Sequence, residues 1–209
     1  MKQYMNKFLT IAALLLLTSF GARAEQTVTT VIKPSAAAGT VTSAISNGVC
    51  TLTVTPASGY YLTVENLSAV TTLNGGAVQT PRRRIDIDPG TTVEITATDA
   101  SADPSKATTY TFTMPENQDF DVEVTAEFQT QEAITPTVTL EGWTYGETAK
   151  TPVVEGNPGN GAVTFTYKAD GAAEFTETVP TNVGTHTVKA SVAAANKYAA
   201  GEATNTFAI

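Results

Sequence analysis

The chain has 209 residues, with 12 basic and 20 acidic side chains, a formal net charge of −8 and one cysteine. That acidic balance argues against nucleic acid and against anionic membrane surfaces as partners, because both attract basic patches. A lone cysteine excludes an internal disulfide, so a module built from this chain must be held by its core rather than by cross-links.

The first segment in chain order reads as an export signal rather than as structure. Lys2 and Lys7 form a basic start, and Phe8 to Leu17 is an apolar run, FLTIAALLLL. Ala22 and Ala24 then stand in A-x-A spacing before Glu25. This is the layout of a cleavable signal peptide. The apolar run is too short for a membrane span, which needs roughly 20 residues. The cysteine, Cys50, lies far downstream, where it cannot take a lipid next to the cleavage site. Cleavage after Ala24 is therefore expected, with Glu25 the first mature residue and no stable membrane insertion afterwards. Removing residues 1–24 leaves nine basic against 20 acidic side chains, a net charge of −11.

From residue 27 onward the apolar residues alternate with Thr, Asp or Glu, the period of half-buried strands. The runs are Thr27–Ile32, Thr40–Ile45, Val49–Thr55, Tyr60–Val64, Arg84–Asp88, Thr92–Thr98, Thr109–Met114 and Asp121–Phe128. Turn residues separate them, and Ser46-Asn47-Gly48 is the strongest hairpin signal. Gln129 to Ala133 is polar and Thr135-Pro136 follows, which places a boundary there. A second set then begins: Thr137–Leu140, Pro152–Glu155, Ala162–Lys168, Phe175–Val179, Gly184–Val192 and Thr204–Ile209. Ala193–Ala200 is expected to be a loop. The expected fold is all-β: two small antiparallel β modules in tandem, the second an Ig-like β-sandwich. The boundaries are 1–24 for the signal peptide, 25–130 for the first module and 131–209 for the second. Alternation predicts Val54, Tyr110, Phe112, Val124, Phe128, Leu140, Phe165, Tyr167, Val188 and Phe207 as core.

The second half resembles a bacterial Ig-like surface repeat. The resemblance is carried by Gly142-Trp143-Thr144-Tyr145-Gly146, by Gly156-Asn157-Pro158-Gly159-Asn160-Gly161 before Val163-Thr164-Phe165-Thr166-Tyr167, by Pro180-Thr181-Asn182-Val183-Gly184, and by Thr187-Val188-Lys189-Ala190. It covers about residues 134–209, and His186 stands where that pattern usually has a tyrosine. The first half is similar to divergent B-repeat modules through Leu52-Thr53-Val54-Thr55-Pro56 with Gly59-Tyr60-Tyr61, and through Tyr110-Thr111-Phe112-Thr113-Met114-Pro115 with Asp121-Val122-Glu123-Val124-Thr125-Ala126. Such modules occur in large secreted and cell-surface proteins of gut Bacteroidales and Firmicutes. The resemblance implies display in the bacterial envelope and a role in adhesion or spacing, and it brings no catalytic residue. Ending on the last strand of such a repeat fits a piece of a longer surface protein.

Chemistry-bearing residues are sparse. Cys50 and the one histidine, His186, fall in different modules, so neither supplies the other with a base, and His186 between Thr185 and Thr187 reads as a surface or half-buried strand residue. The pairs Asp86/Asp88, Asp119/Asp121 and Glu123/Glu127 share strand faces and read as solvated rather than as a glycosidase dyad. Asp99 and Asp103 are the residues from which a calcium loop could be built, although their spacing matches none. Arg82, Arg83 and Arg84 form a basic run suited to an exposed loop that meets nearby acids. Trp143 and Tyr145 share a face if their segment is extended, which makes them either core anchors or a stacking platform for a sugar. Tyr60 and Tyr61 point to opposite faces, so one at most joins such a surface. No cofactor or metal site is expected.

The functional expectation is a non-catalytic secreted or cell-surface module pair for adhesion, spacing or protein interaction, its partner a surface protein or a glycan. The alternative is a carbohydrate-binding protein using Trp143 and Tyr145. Amino-terminal sequencing of the exported protein is expected to begin at Glu25; an intact Met1 would overturn the signal reading.

Overall fold

The computed structural model describes residues 25–73, 89–116 and 119–209. Ala22 and Ala24, the Arg82–Arg84 run, the expected strand at 84–88 and the pair Asp86/Asp88 lie outside them, whereas Glu25 is described and exposed. The fold is all-β, with two single-turn 3-10 segments, Ala36–Ala38 and Val64–Asn66. Among the described residues no helix is long and apolar enough to cross a membrane. The chain divides into two compact units, the first closing at Gln129 and the second running Thr130–Ile209.

In the first unit the strands are β1 (Val28–Lys33), β2 (Gly39–Ser46), β3 (Val49–Pro56), β4 (Tyr60–Tyr61), β5 (Leu67–Leu73), β6 (Thr92–Val93), β7 (Thr96–Ala97), β8 (Thr108–Thr113) and β9 (Phe120–Glu127). A further two-residue strand, β10 (Gln129–Thr130), stands at the division. Eight of these strands make two sheets, in the orders β1-β9-β5-β6 and β2-β3-β8-β7. One core joins them: Cys50, Leu52, Val54, Tyr110 and Phe112 from one sheet meet Leu67, Ala69, Val122, Val124 and Ala126 from the other. This is sandwich packing, in which alternate residues of each strand point inward. Burial of each Val, Leu or Phe here contributes about 1.5–3 kcal/mol before entropy. The β2–β3 hairpin turns on Asn47 (φ +51°) and Gly48 (φ +75°), the two left-handed residues that a two-residue hairpin needs. One pairing departs from the antiparallel expectation: β1 runs parallel to β9, from Val28 opposite Val122 to Lys33 opposite Glu127. Its start is tied down, since the Thr27 amide donates to Asp121 Oδ1 at 2.6 Å and Gln26 Nε2 donates to the Pro115 and Phe120 carbonyls.

The second unit contains β11 (Thr137–Thr139), β12 (Val153–Glu155), β13 (Val163–Ala169), β14 (Thr185–Val192) and β15 (Gly201–Ala208). These form a β13-β14-β15 sheet and a β11-β12 pair. Phe207 is the centre of its core. Trp143 stacks on it at 5.1 Å between centroids, Tyr167 meets it edge-on at 6.4 Å, and His186 lies over it at 5.6 Å. Val138, Leu140, Val188 and Ala190 complete the buried cluster. In the turn before β13, Asn157 closes a loop on itself: its Nδ2 donates to the Gly161 carbonyl and its Oδ1 accepts from the Gly161 amide.

Several expectations are corrected. Leu67–Leu73 is a full strand that the sequence reading passed over, because its inward positions are Leu67, Ala69 and Thr71, only one of them large and apolar. The strand expected at Tyr60–Val64 stops after Tyr61. The chain then turns at Val64–Asn66, where Asn66 Oδ1 accepts from both the amide and the hydroxyl of Thr63. Thr92–Thr98 is two short strands rather than one. Phe175–Val179 is no strand. It makes one bridge, Thr176 to Tyr167, and Phe175 lies within cation-π range of both Lys168 and Lys189. Of the ten expected core residues nine are buried, while Phe165 is half-buried.

The difference between Phe207 and Phe165 is measurable. Phe207→Ala is expected to destabilise the protein by about 3–5 kcal/mol, read as a lower urea midpoint. Phe165→Ala is expected to cost clearly less.

Candidate functional site

Two regions come forward, one in each unit. The first is the solvent face of the β2-β3-β8-β7 sheet. Because Cys50, Leu52 and Val54 point into the core, Thr51, Thr53 and Thr55 must point out. Register carries the same parity across the sheet. Thr42 stands opposite Thr53, which stands opposite Thr109, and the Thr98 amide donates to the Thr109 carbonyl at 3.1 Å. In the next rank, Ala44, Thr51, Thr111 and Thr96 are successive partners. Thr40 faces Thr55 at one end and Thr113 faces Val49 at the other. Thr51 and Thr111 are half-buried, and the other threonines of this face are exposed.

The four strands of that sheet contain no Asp, Glu, Lys, Arg or His, in a chain that is 15% charged. Sheet geometry spaces the ranks about 6.6 Å along the strands and about 4.8 Å between them. The result is a regular array of hydroxyls, each donor and acceptor at once, alternating with methyls. Direct Thr–Thr neighbours on a sheet stabilise it by about 0.2–1 kcal/mol a pair. The opposite sheet shows the contrast: Asp121, Glu123 and Glu127 stand on its outward face, Glu127 opposite Lys33.

The second region lies beside Trp143 and Tyr145. Trp143 is 9% exposed and Tyr145 67% exposed, so the two rings do not form a common open row. The local backbone accounts for this. Gly142 approaches the Ala208 carbonyl so closely that a β-carbon would collide with it, and the Trp143 amide donates to that same carbonyl at 3.2 Å. This close approach lays the indole onto Phe207. The chain then turns away at Thr144–Glu147, closed by the Glu147 amide on the Thr144 carbonyl with Gly146 at φ +89°. Tyr145 is therefore carried outward. Beside it is a shallow, open depression of about 630 Å³ lined by Trp143, Thr144, Tyr145, Lys150, Val183 and Ile209. Lys150 pairs with Glu141 at 2.9 Å and holds that exposed carboxyl below its ordinary range, the hydrogen bond counting for more than the charge.

The remaining candidates are accounted for locally. Asp99 accepts from the amide and hydroxyl of Ser101, and Asp103 does the same with Ser105. The Ser101 hydrogen bonds keep the Asp99 carboxyl below its usual range. Each carboxylate thus serves its own turn. Among the described residues no three His, Cys, Asp or Glu side chains converge as metal ligands. Tyr60 and Tyr61 are both half-buried. His186, expected as a surface or half-buried residue, is buried in register with Val188 and Ala190. Its Nε2 lies 2.9 Å from the Asn182 carbonyl and can only donate there, which leaves Nδ1 buried without a partner. The uncharged face escaped the sequence reading, although its signal was present: TVT, TLTVT and TTYTFT all put Thr on the parity opposite the large apolar residues.

Comparison with protein-family models, with curated proteins and with solved structures finds no match to this chain.

Cys50 is fully buried, and burial pushes its thiol up from 9.0 to about 11, against a smaller opposing effect of a backbone hydrogen bond with Ala44. Burial also raises the Tyr110 hydroxyl, which donates to the Leu62 carbonyl at 3.2 Å. Above pH 9 the unfolded chain loses the thiol proton while the folded chain keeps it, so the unfolded state binds fewer protons and stability falls. The thiol's contribution is therefore expected to hold flat below that point and to take stability away as pH rises from 9.0 towards about 11. At about pH 8, alkylation of Cys50 is expected to be slow until denaturant is added. Rapid labelling of the folded chain would contradict the burial.

Proposed function

We propose that this chain is a non-catalytic exported or surface-displayed protein whose two β units serve adhesion, spacing or protein interaction, with the threonine face as the contact surface. The observation that carries this reading is the uncharged sheet. Charge keeps surfaces soluble and steers partners, and here an entire four-stranded sheet does without it while the sheet behind it carries acids. Backbone rigidity holds the hydroxyls and methyls in place, so little conformational entropy is lost when a partner settles on them. The amino-terminal export signal and the similarity of residues 134–209 to Ig-like surface repeats support placement outside the cell. A glycan-stacking role is less well supported, because Trp143 belongs to the core and Tyr145 is left as the one exposed ring of its depression.

The test is retention of protein-coated beads on intact cells. Thr53→Lys and Thr109→Lys replace exposed side chains at the middle of the face, so both variants are expected to keep the urea midpoint of the parent and to lose retention. Because the face is uncharged, retention by the parent is expected to change little between low and high salt. Unchanged retention by both variants would remove the face from the mechanism, and loss on Tyr145→Ala with binding to a glycan array would establish the carbohydrate reading instead.

A further inference from the structure

We propose that β2 is the seam of a homodimer, in which two copies of this chain join edge to edge and continue the threonine sheet from one copy into the other. Among the described residues strand β2 is the end strand of its sheet, paired with β3 on one side only. From Thr42 to Ser46 every residue is exposed, on both faces of the strand. An edge of this kind offers a row of backbone donors and acceptors to any strand that can reach it. Proteins usually defend such edges with Lys, Pro, brevity or a covering segment. The other described edges have these defences. Strand β1 ends in Lys33-Pro34, and β6 and β7 are two residues long. In the second unit β13 is bridged by Thr176, and β15 receives the Trp143 amide at Ala208 and the Leu140 amide at Asn205. Strand β2, eight residues of Gly, Thr, Val, Ser, Ala and Ile, has no Lys or Pro, and among the described residues no strand pairs with its free side.

A second copy is the occupant that the strand itself fits. A two-fold axis normal to the sheet keeps both threonine faces on the same side and makes the contact self-complementary. With the axis through Ser43, Thr40 stands opposite Ser46, Thr42 opposite Ala44, and Val41 opposite Ile45 of the second copy. This register overlaps nearly the whole strand and joins its two branched apolar residues. Ile45 explains the need. It stands opposite buried Cys50, on the core side of the sheet, yet it is 43% exposed because β2 overhangs the core. The second copy's Val41 covers it. Like meets like along this seam, and no charge is present to oppose the pairing. The inference is independent of the adhesion reading, since the dimer can form whatever the threonine face contacts.

The experiment is sedimentation equilibrium on the protein as recovered from the cells that make it, with its termini read by mass spectrometry. A reversible dimer is expected. Ile45→Lys and Thr42→Lys, on opposite faces of β2, are each expected to raise the dissociation constant tenfold or more. Both are expected to leave unchanged the circular dichroism spectrum and the urea midpoint measured below the parent's dissociation constant, where no dimer adds to stability. Ser43→Cys, on the axis, is expected to cross-link under mild oxidation, and Ser68→Cys, on the other sheet, is not. A single-copy mass at every concentration overturns the proposal. So does a dimer that survives both lysine variants, or one in which Ser43→Cys does not cross-link.

Discussion

The two-residue period of the β-strand is the constraint from which the first unit follows. Once Leu52 and Val54 are drawn out of water, Thr51, Thr53 and Thr55 have one direction left to point, and backbone pairing passes that choice to β2, β8 and β7. The core and the threonine array are therefore two sides of one decision. A shift of one residue between β3 and β8 would bury Thr109 and Thr111 and expose Tyr110 and Phe112, so the apolar residues specify the register and the surface inherits it. The array needs no interaction of its own to be regular, because the sheet's hydrogen-bond ladder already is.

The second unit is organised differently. Its sheet is narrower, and aromatic packing around Phe207 takes over much of the work of holding it. The rings of Trp143, Tyr167 and His186 come from three separate segments and converge on one side chain of the last strand. Closure depends on small residues at the points of contact: Gly142 against Ala208 brings the indole in, and the Asn157–Gly161 loop carries the chain back into β13. The ring contacts of Trp143 and Tyr167 on Phe207 and the approach of Gly142 to Ala208 join residues far apart in the chain, so this core is complete only when the final strand is in place.

Most of the fold was legible because alternation is a local property. Long strands with large apolar residues on one parity, such as Val49–Pro56 and Phe120–Glu127, are apparent from a few residues each. Leu67–Leu73 was not, since Ala69 and Thr71 fill its inward positions and become core through what packs on them. Phe175–Val179 carried a strand-like pattern but pairs through a single bridge, Thr176 to Tyr167, and one bridge does not make a strand. For the candidate stacking pair, composition placed Trp143 and Tyr145 together. The close backbone approach at Gly142 and the left-handed Gly146 separated them, one inward and one outward.

By itself the sequence determined that this is an all-β chain without an internal disulfide, that its acids outnumber its bases 20 to 12, and which parity of nearly every long strand faces the core. Those properties follow from composition and from neighbours one or two residues apart. Tertiary structure alone decided which strands lie side by side. Partners are chosen by contacts between residues far apart in the chain: Val28 beside Val122, Thr53 between Thr42 and Thr109, and Phe207 under Trp143. From that choice come the parallel edge strand, the joining of scattered threonines into one uncharged face, and the open edge at β2. Local patterns place the threonines on one parity of each strand, but the joining of strands into these features is a relation between them rather than a property of any one.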